Sequence, residues 1–205
     1  MAPTLAETSL QNVLSELASP APTPGGGAAC AAASAMGTAL LVMAAAPAQA
    51  RSGSGDMDPV RRALADLQRR LTEAIDTDNA AYGRVIAAHK QPRATDAERA
   101  GRAAAIHQAL RYATEVPLEV MRLSAAALEQ AGPVAAHARR AAESDVAVAL
   151  ALLRAGFEGA RLTVDANLHL AIDADQADAV RKECRRLSER AEAAASEAER
   201  VLRLE

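Results

Sequence analysis

Aromatic side chains are nearly missing from this 205-residue chain: there is no tryptophan, and Tyr82, Tyr112 and Phe157 are its only Phe or Tyr residues. That excludes an aromatic-rich core, and also a surface that stacks nucleobases beside a basic face. The formal net charge of −3 is small and mixed in sign, so no nucleic-acid partner is expected. Cys30 and Cys184 lie far apart without metal-ligand spacing and read as free thiols of a reducing compartment. His89, His107, His137 and His169 form no i,i+4 pair and no His-x-x-Glu-His pattern, so no metal site is expected. Alternating runs of Val, Ile, Thr and aromatics, the mark of strands, are also absent. Basic residues are missing from the first fifty positions, whose only charges are Glu7 and Glu16.

What fills the chain is alanine, within a hydrophobic share of 50%. Alanine is the best helix former, and its small side chain lets helix axes approach closely. The expected fold is all-α, an elongated antiparallel bundle of about six helices in one domain over residues 1–205. Residues 28–46 have the length of a membrane span, but they are mostly alanine with Ser34, Gly37 and Thr38 inside, and no basic residue precedes them. Ala48-Gln49-Ala50 has the form of a signal-peptidase site, yet it lies deep in the chain and follows no positive region. The segment reads as a buried helix of a cytoplasmic protein, with no membrane partner.

Along the chain, residues 5–17 read as a short amphipathic helix with Leu5, Leu10, Val13, Leu14 and Leu17 on one stripe. Pro22-Thr23-Pro24-Gly25-Gly26-Gly27 then forms a stiffened loop at the start of the uncharged helix, which Pro47 ends. Glycines there allow positive φ and close backbone approach, and a helix N-terminus offers unpaired N–H groups to an anion or carbonyl oxygen. A third helix, capped by Asp56 or Asp58 with Pro59 in its first turn, runs to about His89, after which Gln91-Pro92-Arg93 breaks the chain. Thr95 and Glu98 make a capping box for a fourth helix reaching Gln130, kinked near Pro117, and Gly132-Pro133 is expected to turn. Residues 134–171 give one or two helices broken near Glu143-Ser144-Asp145, and Asp173 to Leu202 gives a last, charge-laced helix.

In such a bundle a reactive carboxylate has to face inward. Asp76 and Asp78 stand two residues apart, about 200° around a helix, so they cannot share a proton. Continuing Leu71 and Ile75 by i+3/i+4 selects Asp78 and Tyr82 as the inward pair, and desolvation there suits a carboxyl for proton transfer. Asp145 is a second candidate, stranded in Ser144-Asp145-Val146-Ala147-Val148, although an N-cap role explains it as well.

Taken in order, the Pro-Thr-Pro-Gly-Gly-Gly loop, Asp76-x-Asp78-x-x-Ala81-Tyr82, Gln91-Pro92-Arg93, Arg102, Val116-Pro117-Leu118, Ser144-Asp145, Asn167-Leu168 and Asp173 form one series over most of the chain. The series resembles the formiminotetrahydrofolate cyclodeaminase/methenyltetrahydrofolate cyclohydrolase family. The resemblance implies a homodimer of helical bundles that binds a tetrahydrofolate derivative and uses neither metal nor nucleotide cofactor. It implies release of ammonia from 5-formiminotetrahydrofolate, or hydrolysis of 5,10-methenyltetrahydrofolate to the 10-formyl compound. It places the catalytic acid on Asp78, with Tyr82 where phenylalanine is usual. The substrate is then expected near Thr23, Pro24, Gly25, Gly26, Gly27, Tyr82, Ser144, Asp145 and Asn167, with Arg51 and Arg93 for its carboxylate tail.

The chain also departs from the pattern. A basic Thr-x-Gly segment is reduced to Arg51 within Ala48–Ser54, Ala138-Arg139 replaces a Gly-Asn pair, and Thr163-Val164 stands where Asn-Val is usual. Two alternatives therefore stay open: an enzyme of this scaffold acting on another small amidine or iminium compound, and a helical binding protein that has lost the site.

Overall fold

Helix after helix follows from the local signals, and the computed structural model describes residues 4–52, 55–169 and 174–203. A 3-10 turn at Leu5–Glu7 precedes α1 (Leu10–Leu17) and α2 (Gly26–Ala44), and a second 3-10 turn, Pro47–Gln49, leads into α3 (Asp58–His89). Next come α4 (Asp96–His137), a 3-10 turn at Arg140–Ala142, α5 (Glu143–Leu168) and α6 (Ala174–Arg203). Among the described residues the one β feature is an isolated bridge between Ala50 and Ala138. The fold is all-α, as expected.

Helices α2 to α5 form a ring in which each packs on the next and α5 closes on α2, while α6 lies outside, chiefly along α4. An ion pair between Arg70 and Glu119 (2.5 Å) registers α3 antiparallel to α4. Pairs between Arg122 and Glu183 (2.8 Å) and between Arg190 and Glu129 (2.7 Å) register α6 parallel to α4, as up-down alternation requires. Leu41, Leu64, Leu71, Leu118, Met121, Leu128, Leu150 and Leu153 fill the centre. Helices α2 and α5 approach closely: a side chain at Gly37 would press on the Ala149 carbonyl and Leu153, and one at Gly156 on Ser34 and the Cys30 carbonyl. Ser124 donates to Ser34 in this fully buried seam (2.8 Å), so neither hydroxyl is orphaned.

Three expectations need correction. The first helix is broken at Thr8-Ser9: Ser9 caps α1 by accepting the Asn12 N–H (3.2 Å), and Leu5 alone of the stripe is buried in the core. Second, α4 does not turn at Gly132-Pro133 but continues to His137. Pro133 faces solvent, where water can satisfy the Glu129 carbonyl that the ring leaves without a donor, while Ala131, Val134 and Ala135 hold the helix to the core. Third, the break near 143 is a short 3-10 turn that separates α4 from α5.

Helix α2 is long and apolar enough to cross a membrane by length and composition, yet half of it is buried against its neighbours. Its other side, carrying Met36, Ala39 and Met43, is exposed and holds no charge.

Candidate active site

The stripe Leu64, Leu71, Ala74 and Ile75 turns one face of α3 to the core, and Asp78 lies on its continuation. Its carboxylate sits on the first turn of α2 and accepts the Ala28 N–H. A side-chain carbon at Gly27 would overlap Asp78 Oδ1, so the acid occupies the space a side chain would take. Burial pushes the Asp78 carboxyl above the ordinary carboxylate range, and the Ala28 hydrogen bond pulls it back only in part. A carboxyl so placed moves toward the range in which it exchanges protons near neutrality. One turn along α2, the Cys30 thiol is pushed up first by burial and then by the Asp78 charge, and its sulfur rests where Gly159 has no side chain. Cys30 was not singled out by sequence; its i+3 spacing from Gly27 is the signal that brings it beside the acid.

The three glycines are not equivalent. Gly25 caps α2 with extended backbone, φ −126°, which any residue adopts, and a side chain at Gly26 would meet nothing. Only Gly27 has to lack one. Thr23 and Pro24 precede them across a cis peptide bond, with Pro24 buried and Thr23 half-buried beside the start of α2.

Tyr82 is 44% exposed, contrary to the inward expectation, and Ala81 takes the buried position instead (2%). The reason is length: α2 begins level with Asp78, so nothing on α2 covers the next turn of α3. There Tyr82, Val85 and Ile86 of α3 line an open groove with Ile106 and Leu110 of α4. Asp76, expected to face solvent, instead accepts the Leu5 N–H (2.8 Å) and ties the N-terminal turn to α3. Asn79, beside the acid, has a buried Oδ1 that meets no hydrogen-bond donor.

The remaining predicted residues do not gather at Asp78. Arg51 donates to the Ala138 carbonyl (3.0 Å) and lies 3.8 Å from Glu143, while Arg139 bonds the Gln49 carbonyl and side chain. The two departures from the family pattern, Ala48–Ser54 and Ala138-Arg139, are therefore one place. Exposed Ser144 and half-buried Asp145 open α5 at the same end. Because Gly37 abuts Ala149 and Leu153, this end lies about 25 Å along α2 from Gly27 at 1.5 Å per residue. Arg93 is exposed in the α3–α4 turn, beyond His89, which is itself about 17 Å from Asp78 along α3. Asn167 closes α5 by donating to the Ala113 carbonyl (2.8 Å), the carbonyl that Pro117 leaves without its intrahelical donor. Asp173 lies outside the described residues. Among the described residues no group of three or more His, Cys, Asp or Glu could hold a metal ion.

Comparison with known proteins bears on this geometry. Residues 9–186 match the family model of formiminotransferase-cyclodeaminase. A methenyltetrahydrofolate cyclohydrolase of Methylorubrum extorquens is 37% identical over 112 residues, 55% of this chain and 54% of that protein, so the match spans about half of the relative's length. The crystal structure of formiminotetrahydrofolate cyclodeaminase from Thermotoga maritima superposes with a TM-score of 0.85 over 96% of each chain, at 24% identity, and so shares the fold. The family match covers the glycine loop, Asp78 and all of α2 to α5, and on that ground the chain belongs to the formiminotransferase-cyclodeaminase family.

Proposed function

We propose that the protein is a one-carbon enzyme of reduced folates, hydrolysing 5,10-methenyltetrahydrofolate or deaminating 5-formiminotetrahydrofolate, with Asp78 moving the proton. The observation that carries this reading is the Asp78 carboxylate seated on Gly27 at the start of α2 and raised in pKa by burial. In hydrolysis, water adds to the bridging carbon and gives its proton to Asp78. The bond from that carbon to N5 then breaks as the added hydroxyl gives its remaining proton to solvent and becomes the formyl carbonyl, and Asp78 returns the first proton to N5. In deamination, N10 attacks the formimino carbon, and Asp78 passes the N10 proton to the departing ammonia. Both routes pass an amidinium cation, which a fixed anion stabilises. The exposed Tyr82 ring, one turn from Asp78, offers a stacking face for the pterin, and the donor-less Asn79 Oδ1 suits a ring N–H. Neither chemistry calls for a metal or nucleotide. Both cysteines are free, in keeping with a cytoplasmic location.

A homodimer belongs to the same proposal. The open side of the uncharged α2 carries Met36 and Met43, and α5 beside it carries Val148 and Leu162, all more than a third exposed. A two-fold axis across this face runs the partner's α2 antiparallel to its own and sets the Arg51–Asp145 end of one protomer against the Gly27–Asp78 end of the other. The predicted residues then converge in pairs of sites, with the Arg51 end of one protomer facing the Asp78 end of the other.

The test is direct. Purified protein is expected to accelerate loss of methenyltetrahydrofolate absorbance or release ammonia from the formimino compound, and Asp78→Asn to lower either rate about 10²-fold or more. Turnover of neither compound overturns the reading. A second reading, another amidine or iminium substrate on this scaffold, draws on Arg51 being tied to the Ala138 carbonyl at the altered end, and folate-free amidines form its control arm.

A further inference from the structure

On the side of α3 turned away from Asp78 lies a cleft of about 760 Å³, bounded by α3, α4 and the first turn of α6. Arg84 and Arg111 flank it, and Ala88 and Ala109 give it an apolar floor. Its volume is that of a small-molecule site. Many arginines among the described residues spend their charge on a neighbour: Arg69, Arg70, Arg122, Arg154, Arg161, Arg190 and Arg200 all pair with glutamate or aspartate. Among the described residues neither Arg84 nor Arg111 has a carboxylate partner. Among the described lining residues the one acid is Glu115, which is bonded to Arg122 (2.5 Å) rather than to either of them. The Arg84 guanidinium lies 4.2 Å over the centre of the Tyr112 ring. That contact holds the group in place while leaving its N–H donors uncommitted, the arrangement that suits a fork of bonds to an oxyanion.

We propose that this cleft is a second small-molecule site, separate from Asp78, for a compound carrying two close negative charges on a compact body: a phosphate monoester or a polycarboxylate. Arg84 and Arg111 hold the anionic group from two helices, and the alanine floor takes the apolar part. Position relative to Asp78 follows from the helix: Ala87 stands nine residues on, half a turn around α3, and Arg84 and Gln91 share its side.

Calorimetric titration of the full chain at constant ionic strength tests the site with three probes: adenosine monophosphate, citrate and neutral adenosine. Binding of the monophosphate or of citrate with a dissociation constant below about 1 mM, and of adenosine far more weakly, is the expected result. Preference between the two anions identifies the phosphate or the carboxylate as the source. Arg84→Gln and Arg111→Gln are each expected to weaken that binding by about tenfold or more, with helicity by circular dichroism unchanged. Arg111→Lys keeps the charge without the fork and is expected to fall between, and Arg62→Gln, an exposed arginine near the start of α3, to change nothing. Absence of binding by both anions, or binding that Arg84→Gln and Arg111→Gln leave intact, overturns the proposal.

Discussion

Helix α6 and helix α2 both present a face to the outside of the molecule, and they are finished in opposite ways. Along the α4–α6 face, Arg122 reaches Glu115, Glu119 and Glu183, Arg190 reaches Glu129, and Arg154 of α5 reaches Glu192 and Glu199. Along the open side of α2 there is no charged residue at all, and Met36 is 48% exposed. A face laced with ion pairs is compatible with water on its own, whereas an apolar face of this length asks for a protein partner. Asp78 stands at the end of the second kind of face. Desolvation that raises the Asp78 pKa is therefore expected to deepen when that face is covered.

The largest effect is expected from placing a charge on the apolar face. Met36→Glu puts a carboxylate near the middle of α2, where a two-fold interface buries it unpaired. Light scattering is expected to move from twice the chain mass to the chain mass, and turnover to fall with it if the partner completes the site. A wild-type chain that is already monomeric at micromolar concentration breaks the comparison at its root.

Next comes the acid itself. Asp78→Asn keeps shape and the bond from Ala28 but cannot ionise, and turnover is expected to drop about 10²-fold or more. Stability is expected to move the other way. The folded pKa is raised, so the contribution of this carboxyl is fully present below its unfolded pKa and is lost as pH rises through the folded value. At neutral pH the ionised group is a burden, and Asp78→Asn is expected to raise the melting temperature there, with the gain shrinking in acid. Asp76→Asn is the control: it loosens the Leu5 turn and leaves turnover within a few-fold.

These contrasts also show what could be read from residues alone. The facing of Asp78 was legible because Leu71 and Ile75 set the phase of α3, and the capping box at Thr95 and Glu98 forms as written (3.1 Å). Tyr82 was not, since its exposure depends on where α2 starts, at Gly26 far away in sequence. Asp76 was misjudged for a related reason, its partner being 71 residues distant. Asn167 read as a ligand because the series included it; its tie to Ala113 becomes visible only once Pro117 is placed inside an unbroken helix opposite. That Gly27 alone of the three glycines has to lack a side chain was not legible either, because spacing marks a glycine run without saying which member faces a neighbour.

A smaller effect than that of Asp78→Asn is expected at Gly27. Gly27→Ala forces the new carbon against Oδ1, and Asp78 has to rotate away from the Ala28 N–H. Turnover is expected to fall about tenfold, the scale of a misplaced but intact acid, and the pH profile of the residual rate to shift. A profile that stays fixed while the rate falls would show that Gly27 serves the substrate rather than the acid.

The smallest effect is expected on the charged face. Arg122 is held in its charged form by Glu183 foremost, with Glu115 and Glu119 adding to it, and all four side chains keep partial contact with solvent. Arg122→Gln leaves three carboxylates close together without their cation, a loss of about 1 kcal/mol after solvent screening. The Glu183 carboxyl is held below its ordinary range by Arg122, so this contribution is present above the unfolded carboxylate pKa and disappears as pH falls through the lower folded value. Denaturant titrations of wild type and Arg122→Gln are therefore expected to differ at neutral pH and converge in acid, with mass and turnover unchanged. A change in mass would mean that α6, not α2, carries the interface, and the contrast between the two faces would have to be reversed.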